Sequence, residues 1–373
     1  MSALDRYEPS LDGMRGVCIA AVVAFHSCAQ AGLHGWVRGG FTGVSVFFTL
    51  SGFLITSLLL RERDSTGHID LAQFWARRIR RLWPASFAVV LAVVLLSVNG
   101  PLTARSSDAI AATWNVTNWH VIAAGQERLL QTIVGPLGPT WSLAVEEQFY
   151  VVLALLLAVV FLCRNPRKVL AVVAGLGVAV PIVLANLVTD WQPSLEFNTV
   201  LRAPELFAGV LLALWHTSRA DASRRTALGD AAAGLGLVAL LACFLFVDYS
   251  PPWLLRGGYT VVAAVTAVTI AGLLQRGRVA SALAVAPVRL LGVVSYSLYL
   301  VHWPVMSVLT RDRTGLHGLP LVALHVGVAL VAAVVLHLAV ERPLRRVQAT
   351  PTRTFVAGGA VAAGLTVLGL VVL

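Results

Sequence analysis

Three apolar stretches of this sequence carry side chains able to move protons. The first runs over 14–34 and contains His26, eleven residues after Arg15. At about 100° per residue the two share one helix face, roughly 16 Å apart along the axis. A fixed positive charge near one surface is thus joined to a titratable base deep in an apolar environment. Two readings fit His26: a general base, or a histidine satisfied by a neighbouring helix with Arg15 snorkelling to the surface. The second stretch opens with Trp141-Ser142-Leu143-Ala144-Val145-Glu146-Glu147-Gln148-Phe149-Tyr150. Ser142, Glu146 and Tyr150 share a face by the i, i+4 rule. Adjacent Glu146 and Glu147 point about 100° apart, so at most one is central, and a water-reached interfacial acidic pair is the plainer alternative. The third holds Ser295, Tyr299 and His302 at i, i+4, i+7. That is a polar stripe, or a polar seam between helices. Pro304 is expected to kink this helix just past His302.

Measured from the expected outer ends of their spans, His26 lies about 12 Å deep, Glu146 about 8 Å and His302 about 10 Å. Three separate helices therefore carry polar groups to similar depth. Arg78, Arg81, Arg289 and Arg342 gather toward the opposite surface instead. The arrangement suits an anionic ligand held from one side and chemistry completed nearer the other. A phosphate-binding loop, zinc-protease, dithiol or nucleophile-elbow motif is absent from the sequence. His216 and Asp221 match the H-x-x-x-x-D spacing of glycerolipid acyltransferases, but at a span end and in a short basic loop, so the match reads as chance.

These residues must be positioned by membrane helices. Of 373 residues, 58% are hydrophobic and only 12% charged, about half the charged fraction of soluble domains. Mean hydropathy is +0.81. A cytosolic enzyme, a disordered chain and a coiled coil are excluded. Apolar stretches near the roughly 20 residues of a span occur at 14–34, 41–60, 82–98, 141–163, 169–188, 199–216, 231–247, 257–275, 286–309, 319–340 and 354–373. A twelfth, 108–124, is interrupted by Asp108, Asn115, Asn118 and His120. With the N-terminus inside and 99–140 wholly outside, 21 of the 28 basic residues fall on the inner side and seven on the outer. Letting 108–124 span would invert every later loop, so it is expected to lie outside, as an interfacial or re-entrant element. The net charge of +10 thus reflects topology, and no nucleic-acid partner is expected. Segment 64–83 places Phe74, Trp75, Ile79 and Leu82 at helical spacing with arginines opposite. It reads as an interfacial amphipathic helix ending at Pro84, where the third span starts. Cys18, Cys28, Cys163 and Cys243 sit in or beside apolar stretches and read as small hydrophobes, not as a disulfide framework or a metal site.

At these positions the sequence resembles acyltransferase family 3, membrane proteins that O-acylate sugars, envelope polymers and natural products. Leu11-Asp12-Gly13-Met14-Arg15-Gly16 with Phe25-His26 is similar to its opening L-D-G-x-R-G…F-H. Phe47-Phe48-Thr49-Leu50-Ser51-Gly52-Phe53-Leu54-Ile55 is similar to its F-F-x-L-S-G-F-L-I. Phe74-Trp75-Ala76-Arg77-Arg78-Ile79-Arg80-Arg81-Leu82-Trp83-Pro84 resembles its F-Y-x-R-R-x-x-R-I-x-P, with Trp75 replacing the usual tyrosine. The runs at 141–150 and 295–304 and Glu341-Arg342-Pro343 also fit. Each piece is weak alone; six in order on the expected spans are specific.

The resemblance implies an all-α polytopic membrane protein, with ten core transmembrane helices in an acyltransferase domain over 1–346 and an additional helix over 354–373. In fused members such a helix leads to an outer SGNH-type hydrolase domain; a stand-alone or a cut form would both end as this sequence does. It also implies an O-acyltransferase of the cell (cytoplasmic) membrane, N-terminus cytoplasmic, moving an acyl group, in the first instance acetyl, from cytoplasmic acyl-CoA to a hydroxyl near the outer face. Acyl-CoA is a co-substrate; no permanently bound cofactor and no metal is expected. The acceptor is a carbohydrate, an envelope glycan or glycolipid first and a natural product second. Membrane lipids are the remaining partners. His26 is the best general base. Glu146 or Glu147 positions the acceptor or orients His26. His302 and Tyr299, with Ser142, Tyr150 and Ser295, are acceptor-binding or supporting groups. Arg77, Arg78 and Arg81, with Arg15, hold the CoA phosphates, or serve only topology and lipid headgroups. Arg202 and Glu205, at i, i+3, pair across a helical turn. A transporter or flippase for a lipid-linked or glycosylated substrate is the rival, because it too needs buried charge at helix seams. A non-catalytic partner in envelope assembly is a third reading, which the joint presence of His26 and Arg15 disfavours.

Overall fold

Apolar residues recur without a period-2 pattern, and the chain answers with helices joined by short connections. The computed structural model describes residues 7–98, 100–124, 135–187, 192–218, 225–249 and 251–373. Arg6, Arg128, Arg219, Asp221 and Arg224, used above in the charge and spacing arguments, lie outside the described residues. In chain order the α-helices are α1 (Pro9–Ala31), α2 (Gly43–Thr66), α3 (Leu71–Val98), α4 (Ser106–Thr113), α5 (Thr117–Ala123), α6 (Thr140–Val160), α7 (Pro166–Leu187), α8 (Gln192–Phe197) and α9 (Ala203–Thr217). They continue as α10 (Ala227–Phe246), α11 (Tyr259–Leu273), α12 (Arg278–Leu283), α13 (Ala286–Val293), α14 (Ser295–Val308), α15 (Arg311–Thr314), α16 (Gly318–Leu336), α17 (Arg342–Arg345) and α18 (Pro351–Val372). No strand occurs among the described residues.

Nine helical stretches among the described residues are long and apolar enough to cross a membrane, and ten if α13 and α14 together form one broken span. The chain is an all-α polytopic membrane protein. The stretch expected at 199–216 is α9, whose 15 residues make it about 22 Å long, short of the roughly 30 Å hydrocarbon core. The interrupted stretch 108–124 folds as α4 and α5, eight and seven residues long, each too short to span.

One local expectation is corrected. Segment 64–83 is not a separate interfacial helix. α2 continues to Thr66 and stops at Gly67, whose left-handed backbone (φ +81°) caps it by donating to the Arg63 carbonyl. α3 then runs 28 residues straight through Pro84. Proline removes one backbone donor, a loss a membrane helix tolerates where neighbours re-satisfy the backbone. The carbonyl that loses its partner is that of Arg80, four residues earlier; two residues on, the Tyr296 hydroxyl donates to the Leu82 carbonyl at 2.7 Å. The stretch 286–309 is bent by 71° between two helices. The break falls at Val294, between α13 and α14, while Pro304 sits inside α14.

The chain divides into two units. The first comprises Met1–Phe25, Gly35–Ile69 and Gln148–Val293. The second comprises His26–His34, Asp70–Glu147 and Val294–Leu373, so α1 and α6 contribute to both. In the first unit, α2 and α9 approach backbone to backbone. A Cβ on Gly52 would lie 2.0 Å from the Leu206 carbonyl oxygen, and one on Gly209 would lie 2.2 Å from that of Thr49. Only glycine permits that approach, and membrane helices use it because dispersion, not water release, drives their association. Met14, Val46, Leu50, Phe53, Leu212, Ile270 and Leu273 fill the surrounding core. In the second unit, α18 packs on α3 and α4, and α14 packs on α16.

Candidate functional site

The second unit brings together four of the expected site residues, from α1, α6 and α14. His302 is fully buried and His26 is 6% exposed. His302 Nδ1 lies 2.6 Å from the Tyr299 carbonyl oxygen. A carbonyl only accepts, so in the neutral ring Nδ1 carries the hydrogen and Nε2 the lone pair. His302 Nε2 lies 3.2 Å from His26 Nδ1. His26 Nδ1–H therefore donates to it, and the lone pair of neutral His26 falls on Nε2. One backbone carbonyl thus sets the tautomer of both histidines in turn.

Trp303 holds the other side. Its ring meets that of His26 edge-on, with centroids 5.1 Å apart, and its indole N–H donates to the Gly135 carbonyl at 3.0 Å. The Tyr299 hydroxyl lies 2.6 Å from Ser142 Oγ and 2.9 Å from the Pro139 carbonyl. Ser142 Oγ also lies 3.3 Å from the Pro139 carbonyl, so the two bonded hydroxyls share that acceptor. Residues 135–142 are in this way tied to α14 beside the histidines.

A second cluster lies toward the other end of α14. Glu341 Oε2 accepts from Ser297 Oγ at 2.8 Å and meets His337 Nδ1 at 2.9 Å. His337–Glu341 is a π-helical turn between α16 and α17, a distortion frequent at functional sites. Glu147, Glu341, Glu146 and Arg81 are the charged groups that act on Tyr296. Glu147 in turn feels Arg78 and Glu146. Glu146 and Glu147 are half-buried, and Glu147 Oε1 has no hydrogen-bond partner among the described residues. Ser295 Oγ, at the start of α14, is likewise buried without one. Arg78 lies over the Phe74 ring at 5.9 Å, and Arg77 is exposed. Among the described residues no three His, Cys, Asp or Glu side chains converge as a metal site would require.

The remaining expected residues belong to the first unit. Arg15 lies 3.9 Å from Asp12. Tyr150 is buried. Arg202 is 2% exposed and grips Glu205 with two bonds, Nε to Oε2 at 2.7 Å and Nη2 to Oε1 at 2.8 Å. It also donates to the Glu196 carbonyl and to Ser45 Oγ, and its guanidinium stacks 3.8 Å from the Tyr259 ring centroid. A guanidinium so enclosed is a structural anchor of α9. His216 is packed edge-on against Phe53. The Cys18, Cys28, Cys163 and Cys243 thiols are free.

Sequence reasoning missed Ser297 and His337 and quoted Glu341 only within a motif. His337 and Glu341 at i, i+4 beside the strongly apolar stretch 319–340 were the available signal. It also missed His325, whose Nε2 donates to the Leu309 carbonyl at 2.9 Å, so that its Nδ1 accepts from Ser27 Oγ at 3.0 Å.

A polytopic helical membrane protein with a buried, tautomer-locked histidine pair defines the class. Residues 8–341 match the family model described as an acyltransferase domain, and the chain belongs to acyltransferase family 3. It is 34% identical over 312 residues to the O-acetyltransferase OatA of Staphylococcus aureus (strain NCTC 8325 / PS 47), covering 81% of this chain and 51% of that protein. It is 34% identical over 317 residues to the peptidoglycan O-acetyltransferase OatA of Listeria monocytogenes, covering 82% and 50%. The chain spans about half the length of these curated relatives. No solved structure matches it.

Proposed function

We propose that this chain is an O-acetyltransferase of the cell envelope, moving acetyl from acyl-CoA to a sugar hydroxyl, with peptidoglycan the first acceptor to test. The N-terminus is cytoplasmic, acyl-CoA enters from the arginine-rich side, and the acceptor is met at the opposite face. The observation that carries the reading is the chain Tyr299 carbonyl, His302, His26.

The roles follow from it. His26 Nε2 takes the hydroxyl proton as the acceptor oxygen attacks the thioester carbonyl. The imidazolium that forms keeps its Nδ1–H on the His302 lone pair, which holds the ring and spreads the charge. The tetrahedral intermediate then collapses, the C–S bond breaks, and the CoA sulfur leaves with the proton from His26. Arg78 and Arg81, with Arg77, hold CoA phosphates by charge-assisted hydrogen bonds. Glu146 or Glu147 positions the acceptor.

The test is acetyl transfer by purified protein in nanodiscs, with acetyl-CoA and a soluble peptidoglycan fragment, scored by free CoA and by acetylated product. Wild-type protein releases CoA only with acceptor present, and His26→Gln loses about 10²–10⁴-fold in rate. Near wild-type turnover of His26→Gln overturns the catalytic reading. Wild-type protein that moves a lipid-linked substrate without releasing CoA would be a transporter.

A further inference from the structure

The second unit holds an apolar groove of about 510 Å³ between α3 and α18. Ile79, Trp83, Phe87 and Leu91 form one wall, and Ala357 and Val361 line the other. Positive groups collect at one end only. Arg80 comes from α3, and Arg353 and the Thr354 hydroxyl come from the first turn of α18. Arg80 Nη1 donates to the Ala349 carbonyl and to Thr354 Oγ1, which fixes the guanidinium at the mouth and leaves its Nε and Nη2 donors uncommitted among the described residues. The positive end of the α18 dipole points to the same place.

We infer that this groove binds an anionic glycerophospholipid from the membrane leaflet on the arginine side, phosphate on Arg80 and Arg353 and one acyl chain along Trp83, Phe87 and Leu91. Length supports the assignment. From Arg80 to Leu91 is eleven residues, about 16 Å, half of the roughly 30 Å hydrocarbon core and so the depth of one leaflet. Charge supports it, because a neutral apolar chain or a second helix would leave two arginines unmatched at the mouth. Gly358 makes room for the Trp83 indole, since a Cβ there would come within 3.1 Å of its ring. The assignment does not depend on the catalytic reading.

The experiment is lipid retention by native mass spectrometry. Full-length protein purified in neutral detergent is titrated with dioleoylphosphatidylglycerol or dioleoylphosphatidylcholine. Wild-type protein is expected to retain one phosphatidylglycerol and to hold phosphatidylcholine at least tenfold more weakly. Arg80→Gln with Arg353→Gln is expected to lose about tenfold or more in phosphatidylglycerol affinity, because two charge-assisted bonds to phosphate are lost. Ala357→Phe, which fills the groove and keeps both arginines, is expected to lose it as well; unchanged lipid-free melting identifies folded variants. Equal retention of the two lipids overturns the assignment, as does undiminished phosphatidylglycerol binding in either folded variant. A dimer that Ala357→Phe dissociates, with no lipid retained, would make the groove a contact between copies of the chain.

Discussion

His26 Nδ1 and His302 Nε2 lie 3.2 Å apart, although 276 residues separate them in sequence. Because the Tyr299 carbonyl fixes the His302 tautomer, this one bond leaves the lone pair of neutral His26 on Nε2. In the proposed reaction His302 is then a positioning residue. His302→Ala is expected to slow acetyl transfer by one to two orders of magnitude, less than His26→Gln, while leaving acyl-CoA binding near wild type. A His302→Ala rate as low as that of His26→Gln would give His302 a direct chemical part.

The Tyr299 hydroxyl joins Ser142 to the Pro139 carbonyl. Tyr299→Phe removes both bonds but keeps the backbone carbonyl on which His302 depends. It is expected to destabilise the protein by about 1–3 kcal/mol. In a double-mutant cycle with Ser142→Ala, followed by thermal unfolding in detergent, the pair is expected to couple. Additive losses would show that the short Ser142–Tyr299 contact carries no energy.

Arg202 and Glu205 form a buried bidentate pair. Removing one partner leaves an uncompensated buried charge, a loss of about 3–5 kcal/mol, whereas replacing both is often far milder. Glu205→Gln is therefore expected to lower the melting temperature more than the double variant Arg202→Met, Glu205→Leu. The reverse order would mean the pair does more than satisfy itself.

Arg78→Ala with Arg81→Ala is expected to weaken acyl-CoA binding about tenfold or more, with lysine rescuing only in part, because lysine has no bidentate fork. Equilibrium binding of acetyl-CoA to folded variants reads this directly. Unchanged affinity would leave both arginines as topology signals that also act on Tyr296 and Glu147.

The arginine distribution predicts opposite sides for positions 115 and 222. In a chain with Cys18, Cys28, Cys163 and Cys243 replaced, Asn115→Cys is expected to react with an impermeant thiol reagent from outside and Ala222→Cys only after permeabilisation. Labelling of both from one side would overturn the outer placement of 108–124.

Much of this was legible in the sequence. Membrane helices are specified locally, since a run of about 20 apolar residues with satisfied backbone has no other stable form in lipid. Hence the long helices, the non-spanning stretch 108–124 and the placement of His26, Glu146 and His302 on apolar helices could all be read from residue order. The Arg202–Glu205 pair could be read too, because i, i+3 neighbours meet within one helix. What could not be read depended on contacts between distant segments. Pro84 passes through α3 unbroken while the chain breaks at Val294, because tertiary packing overrides local propensity. Glu341 gains meaning only when a π-helical turn sets it on Ser297 and His337. Residue types marked His26 as a candidate base; only the packing of α1 against α14 decided which of its nitrogens carries the lone pair, because a histidine tautomer is set by whichever hydrogen-bond partner the fold delivers.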